Sequence, residues 1–200
     1  VAGENGFSVV ISQGSSVRIS GITFQGAEDF LSYSLTNGGE VRLDDCVFNQ
    51  ASSSTSIVVT GMLNTGKATL KDVSFVGGAA QGTSNGIENK PSGTLFIRDS
   101  SIVAPVSNTG TGTGIRNEGH VRLENSQIEV AYTAGNGNGV LNIGGTLQVA
   151  GGLIAAANSG GRSVAVKMEG GSLLMAGTLV HGGSGDNGAR ALMAQNDSEG

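Results

Sequence analysis

Two prolines, one cysteine and no tryptophan in 200 residues remove several classes of protein before any motif is sought. Cys46 alone leaves no intrachain disulfide and no cysteine-cluster metal site. Scarce proline without a glycine triplet excludes a collagen-like chain. No apolar run approaches the ~18 residues of a membrane span. Residues 1–14 lack the basic start and continuous apolar run of a secretory signal, so the expectation is a soluble chain, mature or excised from a longer one. Charged residues are few, at 14%, but the 38% apolar share is too high for a solvated disordered segment. Eleven Lys and Arg against 16 Asp and Glu give a net charge of −5, so nucleic acid is not an expected partner.

What is abundant is glycine, at 35 positions. Each glycine inside a helix costs roughly 1 kcal/mol relative to alanine. A helical bundle is therefore excluded, and an all-β chain with many turns is expected. The turns are periodic. Seven segments align without gaps: VRISGITF from Val17, VRLDDCVF from Val41, ATLKDVSF from Ala68, LFIRDSSI from Leu95, VRLENSQI from Val121, LQVAGGLI from Leu147 and LLMAGTLV from Leu173. Their third residues, Ile19, Leu43, Leu70, Ile97, Leu123, Val149 and Met175, lie 24, 27, 27, 26, 26 and 26 residues apart.

Apolar or small residues at the first, third, sixth and eighth positions mark strands with one buried face. The fifth position, Gly21, Asp45, Asp72, Asp99, Asn125, Gly151 or Gly177, holds residue types that tolerate a left-handed or bridge conformation, so it is a one-residue corner. Upstream lies a third strand and a second corner of the form apolar, any, Asn, any, Gly. Three short strands in about 26 residues cannot close a core alone, but stacked coils can. The reading is a parallel β-helix of seven coils plus the start of an eighth at ALMAQND, roughly 34 Å long at ~4.8 Å per strand spacing. Residues 1–200 form one β-helix domain, part of a longer solenoid or a fibre, because neither end shows a polar cap; the first strand is entered by Phe7.

Stacking assigns columns. Phe24, Phe48 and Phe75 share one with Ile102, Ile128, Ile154 and Val180, and Cys46 shares another with Ile22 and Val73, as a core thiol. Asn37, Asn64, Asn89, Asn117 and Asn142 recur at the second corner, with Gln13 and Met168 in the end coils. They are expected to form an asparagine ladder in which the backbone takes the turn while the amide bonds to the coils above and below.

Along GIRNEGHVRLENSQIEV, residues 114–130, the chain resembles the bacterial right-handed parallel β-helix repeats of pectin-lyase-like architecture. The segments GGTLQVAGGLIAA and GGSLLMAGTLVHGG look like the passenger stalks of autotransporter adhesins. The resemblance implies right-handed coiling and an extracellular or bacterial cell-surface setting, outer membrane-attached or secreted. It implies no particular activity.

Asp45, Asp72 and Asp99, flanked by Asp44, Lys71, Arg98 and Glu124, stack about 5 Å apart, within the spacing of a carboxylate pair that cleaves glycosides. The same residues suit the turn, which is the preferred reading, and no catalytic residue, metal site or cofactor is expected. The alternative is a polysaccharide-acting or phage tailspike module using this ladder. His120 and His181 lie more than two coils apart and form no joint site. GGSGD at residues 182–186 is read as a flexible loop, and Asn196-Asp197-Ser198 is a formal glycosylation acceptor. Outward positions are polar in early coils, whereas Leu153, Leu174 and Leu179 stand beside Ala150 and Ala176. These leucines are expected to form an apolar interface, covered by loop 182–190, by a neighbouring domain or by identical subunits. The expected function is structural and adhesive, with host-surface glycan or protein, or end-to-end self-association, as partners. The returns 25–32, 49–56, 76–85, 103–113, 129–138 and 155–163 are the expected binding elements.

Overall fold

Each repeat supplies three strands of three to seven residues, and each strand finds its partner in the same strand of the next coil. The computed structural model describes residues 9–25, 33–50, 52, 58–156 and 158–195. Phe7, the Asn196-Asp197-Ser198 acceptor and most of the returns 25–32 and 49–56 lie outside these residues. Among the described residues regular structure is β throughout, and the three main sheets are parallel.

Sheet A has eight strands, Val9–Ile11, Tyr33–Asn37, Val58–Asn64, Thr83–Asn89, Gly112–Asn117, Gly137–Asn142, Ser163–Met168 and Ala189–Ala194. Sheet B has seven, Ser16–Ser20, Glu40–Asp44, Lys67–Lys71, Thr94–Arg98, His120–Glu124, Thr146–Ala150 and Ser172–Ala176. Sheet C also has seven, Thr23–Gln25, Val47–Asn49, Ser74–Val76, Ser101–Ala104, Gln127–Val130, Leu153–Ala155 and Leu179–His181. The chain is a parallel β-solenoid of seven coils with an eighth begun by Ala189–Ala194.

The inward columns are continuous. Leu43, Leu70, Ile97 and Leu123 are register partners and fully buried, as are Leu35, Met62, Ile87, Ile115, Val140 and Val166 on sheet A. Phe24, Phe48 and Phe75 stack face to face, with centroids 4.5 and 4.7 Å apart and planes within 13° and 8°. Ile102, Ile128 and Ile154 continue the column.

The corner between sheets B and C turns on a residue with positive φ in every coil, Gly21 (65°), Asp45 (53°), Asp72 (53°), Asp99 (49°), Asn125 (45°), Gly151 (72°) and Gly177 (63°), and in the sixth coil Gly152 (81°) shares it. In four of the seven coils the next residue is locked by a short side chain. Ser100 and Ser126 donate to the Arg98 and Glu124 carbonyls at 2.7 Å, and Thr178 donates to the Ala176 carbonyl at 3.2 Å. Cys46 does the same with sulfur, 3.4 Å from the Asp44 carbonyl, and is 1% exposed. It is a core thiol standing where later coils use a hydroxyl.

The corner between sheets A and B rests on asparagine. Nδ2 of Asn37, Asn64, Asn89 and Asn117 donates to Oδ1 of the next asparagine at 2.8, 2.7, 2.9 and 2.6 Å, ending at Asn142. All five are fully buried. Two details differ from expectation. None of the five has a positive φ: each closes its strand, and the turn falls on the residues after it. Their role is to satisfy carbonyls inside the turn, as Asn89 Nδ2 does for Gly93 and His120. Secondly, the first-coil partner of Asn37 is Ile11, whereas Gln13 is exposed, because the first turn is two residues longer than its successor.

A glycine column crosses sheet A. A Cβ on Gly86 would lie 2.6 Å from the Gly114 carbonyl oxygen and 2.8 Å from Ile102 Cγ2, so sheet A and the isoleucines of sheet C approach too closely there for a side chain.

The returns are not free loops. Ala79–Ala80 pairs with Val106–Ser107, and bridges join Ser107 to Thr133, Thr133 to Ser159 and Ser159 to Gly185. The GGSGD segment is part of this stack, with Ser184 bonded to Asn158 Oδ1 and the Asp186 amide to the Ser159 carbonyl. The expectation of a flexible loop is corrected: its backbone is held by the return below.

Candidate functional site

Outside the rod, the corners stand in line, and Asp45, Asp72, Asp99 and Asn125 among them are exposed. Where Asp72, Asp99 and Asn125 succeed one another, the corner and the adjoining edge of sheet C enclose an open groove of about 670 Å³. Its other wall is Ser74, Ser101, Gln127 and Leu153, and its floor includes Ser100, Ser126 and Gly152. Asp72 is 3.3 Å from Lys71 Nζ and Asp99 is 3.5 Å from Arg98 Nε. Each aspartate is thus neutralised by the preceding residue of its own strand, which relieves repulsion along the ladder. Asp45 occupies the same corner, one coil before the groove begins. The groove offers carboxylates, two serine hydroxyls and two amides, a set suited to a polar ligand with many hydroxyl groups. Ser74 and Ser101 were not singled out from the sequence, and Gln127 was read only as one of the polar outward residues; reading the seventh position of the repeat as a column would have found all three.

Asp44 is the most strongly held carboxylate on sheet B. Arg18 and Arg42 converge on it, with Nε atoms 3.0 and 2.9 Å from Oδ2. The Arg42 hydrogen bond, reinforced by the charges of Arg42 and Arg18, holds the Asp44 carboxyl below its ordinary value against the opposing effect of burial. On sheet A, Glu88 lies between Lys90 at 2.5 Å and Arg116 at 3.0 Å, and Arg116 also reaches Glu118. On sheet B, Arg122 pairs with Glu124 and lies 5.4 Å from the Phe96 ring centroid.

The three leucines separate. Leu153 and Leu179 are register partners on sheet C, whereas Leu174 is on sheet B, on the far side of the Gly151 and Gly177 corner. Leu174 and Leu179 are 67% and 66% exposed, while Leu153 is half-buried in the groove wall. Segment 182–190 does not cover Leu174 or Leu179; it stacks on residues 158–163 instead. A smaller hollow of about 310 Å³ lies on sheet B between Arg122, Gln148 and Leu174, over Ala150 and Ala176. Among the described residues, no group of three His, Cys, Asp or Glu is placed to hold a metal ion. His120 and His181 lie on sheets B and C, two coils apart. Comparison of the chain with protein-family models, curated proteins and solved structures returned no match.

Proposed function

We propose that the chain is a structural and adhesive segment of a bacterial cell-surface or secreted protein, a stiff rod that presents recognition surfaces or assembles outside the cell. The observation that supports this reading is the unbroken registration of the corner and core columns from the first coil to the seventh, with the asparagine ladder joining the second to the sixth. Most residues serve stacking between coils, which makes a spacer of defined length. Recognition then belongs to what the rod displays, the outer grooves and the stacked returns. Beads coated with the purified chain, passed over immobilised glycan panels and cell layers under flow, test the reading. Retention competed by the soluble chain supports it; retention no greater than that of albumin-coated beads on every surface overturns it. Self-association is measured by light scattering, where a strict monomer at high concentration that binds no hydrophobic dye removes the assembling role.

A second reading is favoured by the corner groove: a polysaccharide-acting module in which Asp72 and Asp99 face the polymer. New reducing ends released from a glycan panel, absent with Asp72→Asn, establish it; no release from any member of the panel removes it.

A further inference from the structure

The outer face of sheet A carries a second feature that neither reading uses. Every lysine and arginine among the described residues is paired with a carboxylate except Arg162 and Arg190. These two arginines belong to one place. Arg162 lines a cavity of about 50 Å³ with Asn136, Asn138, Val164 and Lys167, and Arg190 is the register partner of Val164 one coil on. Arg162 is held on both sides without being neutralised: its backbone amide donates to Asn136 Oδ1 at 2.8 Å, and its guanidinium rests 3.9 Å from the thioether of Met193.

The second observation is Asn138. It is 4% exposed, lines this cavity, and its side-chain amide has no hydrogen-bond partner among the described residues. Its counterpart Asn85, in the same column, donates to Thr60 Oγ1 at 3.4 Å. The amide is not sealed, since the fully enclosed unpaired side-chain atoms among the described residues belong to Gln50, Arg98 and Ser159, so a bound group can reach it from the cavity. A cavity of this size holds one small polar group. Lys167, on the rim, shares its ammonium with Glu169, the one carboxylate paired within the cluster.

One guanidinium without a carboxylate and the Asn138 amide line one small cavity, beside the Glu169-paired ammonium of Lys167 and with the exposed Arg190 one coil on, and such donors suit an oxyanion. We infer that this cavity is a binding site for an oxyanion group, a sulfate ester or a carboxylate, carried by an anionic glycan. The group enters over Arg162 and accepts from its guanidinium and from Asn138 Nδ2, while Arg190 adds charge from the next coil. The sugar ring itself stays outside, on the side of the exposed Arg190. The inference deepens the adhesive reading by naming a ligand class, and depends on it only in making a glycan the carrier.

Titration of the whole chain with sodium sulfate, a sulfated disaccharide and a uronate disaccharide, followed by backbone amide NMR and calorimetry at low salt, tests it. The expected result is shifts centred on Asn138, Arg162 and Val164, with affinity about tenfold weaker in Arg162→Gln, the scale of one charge-assisted hydrogen bond. Arg190→Gln is expected to lose a few-fold, and Arg122→Gln, which removes the same charge from sheet B, to bind as the parent does. Identical circular dichroism and melting of the variants exclude a folding effect. Preference between the two disaccharides assigns the sulfate or the carboxylate. Sulfate binding lost in Arg162→Gln with neither disaccharide bound overturns the glycan assignment. No binding, or binding unchanged in Arg162→Gln, overturns the site. Disaccharide binding that persists while coated beads fail to adhere leaves the site standing and removes the adhesive reading.

Discussion

In coils two to five the corner between sheets B and C is Asp45, Asp72, Asp99 and Asn125, with φ between 45° and 53°; in coils six and seven it is Gly151 and Gly177, at 72° and 63°. The change of residue does not come alone. The early coils carry paired charges on their outer faces, a phenylalanine stack inside and asparagines at the other corner. The late coils carry Ala150 and Ala176 outside and isoleucine or valine inside, and the ladder stops where Met168 succeeds Asn142. One backbone path is therefore held by side-chain ladders in one half and by glycine's freedom in the other. The difference teaches that the coil shape is fixed by backbone registration, and that the side chains decide how strongly each coil is held and what it shows to solvent.

Seven substitutions at six positions break or sharpen that contrast. Phe75→Ala removes a fully buried ring from the end of the phenylalanine stack and is expected to destabilise by about 3–5 kcal/mol in urea unfolding, against about 2–5 for Ile154→Ala in the late half. Asn89→Ala comes next. It strips partners from the Gly93 and His120 carbonyls and from two neighbouring asparagines, which predicts a loss of about 2–4 kcal/mol. Asn142→Ala breaks one fewer link, because no asparagine follows it, and is expected to cost about 1 kcal/mol less. Equal losses at the two positions would show that the ladder is not the unit of stabilisation.

Gly177→Ala isolates the corner itself. A Cβ there would meet only the Gly151 nitrogen at 3.9 Å, so the cost is that of positive φ alone, about 1–2 kcal/mol by thermal melting. Gly177→Asn is expected to lose less, since asparagine already serves at Asn125. The smallest effect concerns Asp44. Its carboxyl titrates below its ordinary value in the fold, so its contribution is complete above the unfolded value of about 3.9 and is lost as pH falls through the lower folded value. Acid melting curves of the parent should therefore drop more steeply below about pH 4 than those of Asp44→Asn, by a fraction of a kcal/mol for so exposed a cluster.

The repeat made the fold legible because a solenoid writes each structural constraint once per coil. The fifth position alternates among Asp, Asn and Gly, and all seven residues have positive φ. What remained hidden was vertical register where coil lengths differ. Gln13 was aligned with the ladder by counting residues, but a longer first turn puts Ile11 there. The returns read as loops because their sequences share no pattern, yet single bridges through Ser107, Thr133 and Ser159 hold them. A bridge of one residue leaves no periodicity to detect. The Arg162 cavity was invisible for another reason: an unpaired charge is defined by what does not surround it, and only side-chain placement shows which of many arginines lacks a carboxylate.

The central claim is one continuous parallel stack from the first coil to the last, and distance measurement between spin labels tests it most directly. Labels on Arg18→Cys and Gln148→Cys, in a Cys46→Ser background matching Ser100 and Ser126, sit on one outward row of sheet B, five strand spacings apart. A single narrow distribution near 24 Å, five times ~4.8 Å, is the predicted result. A broad distribution, or one centred far from that value, would contradict the stack.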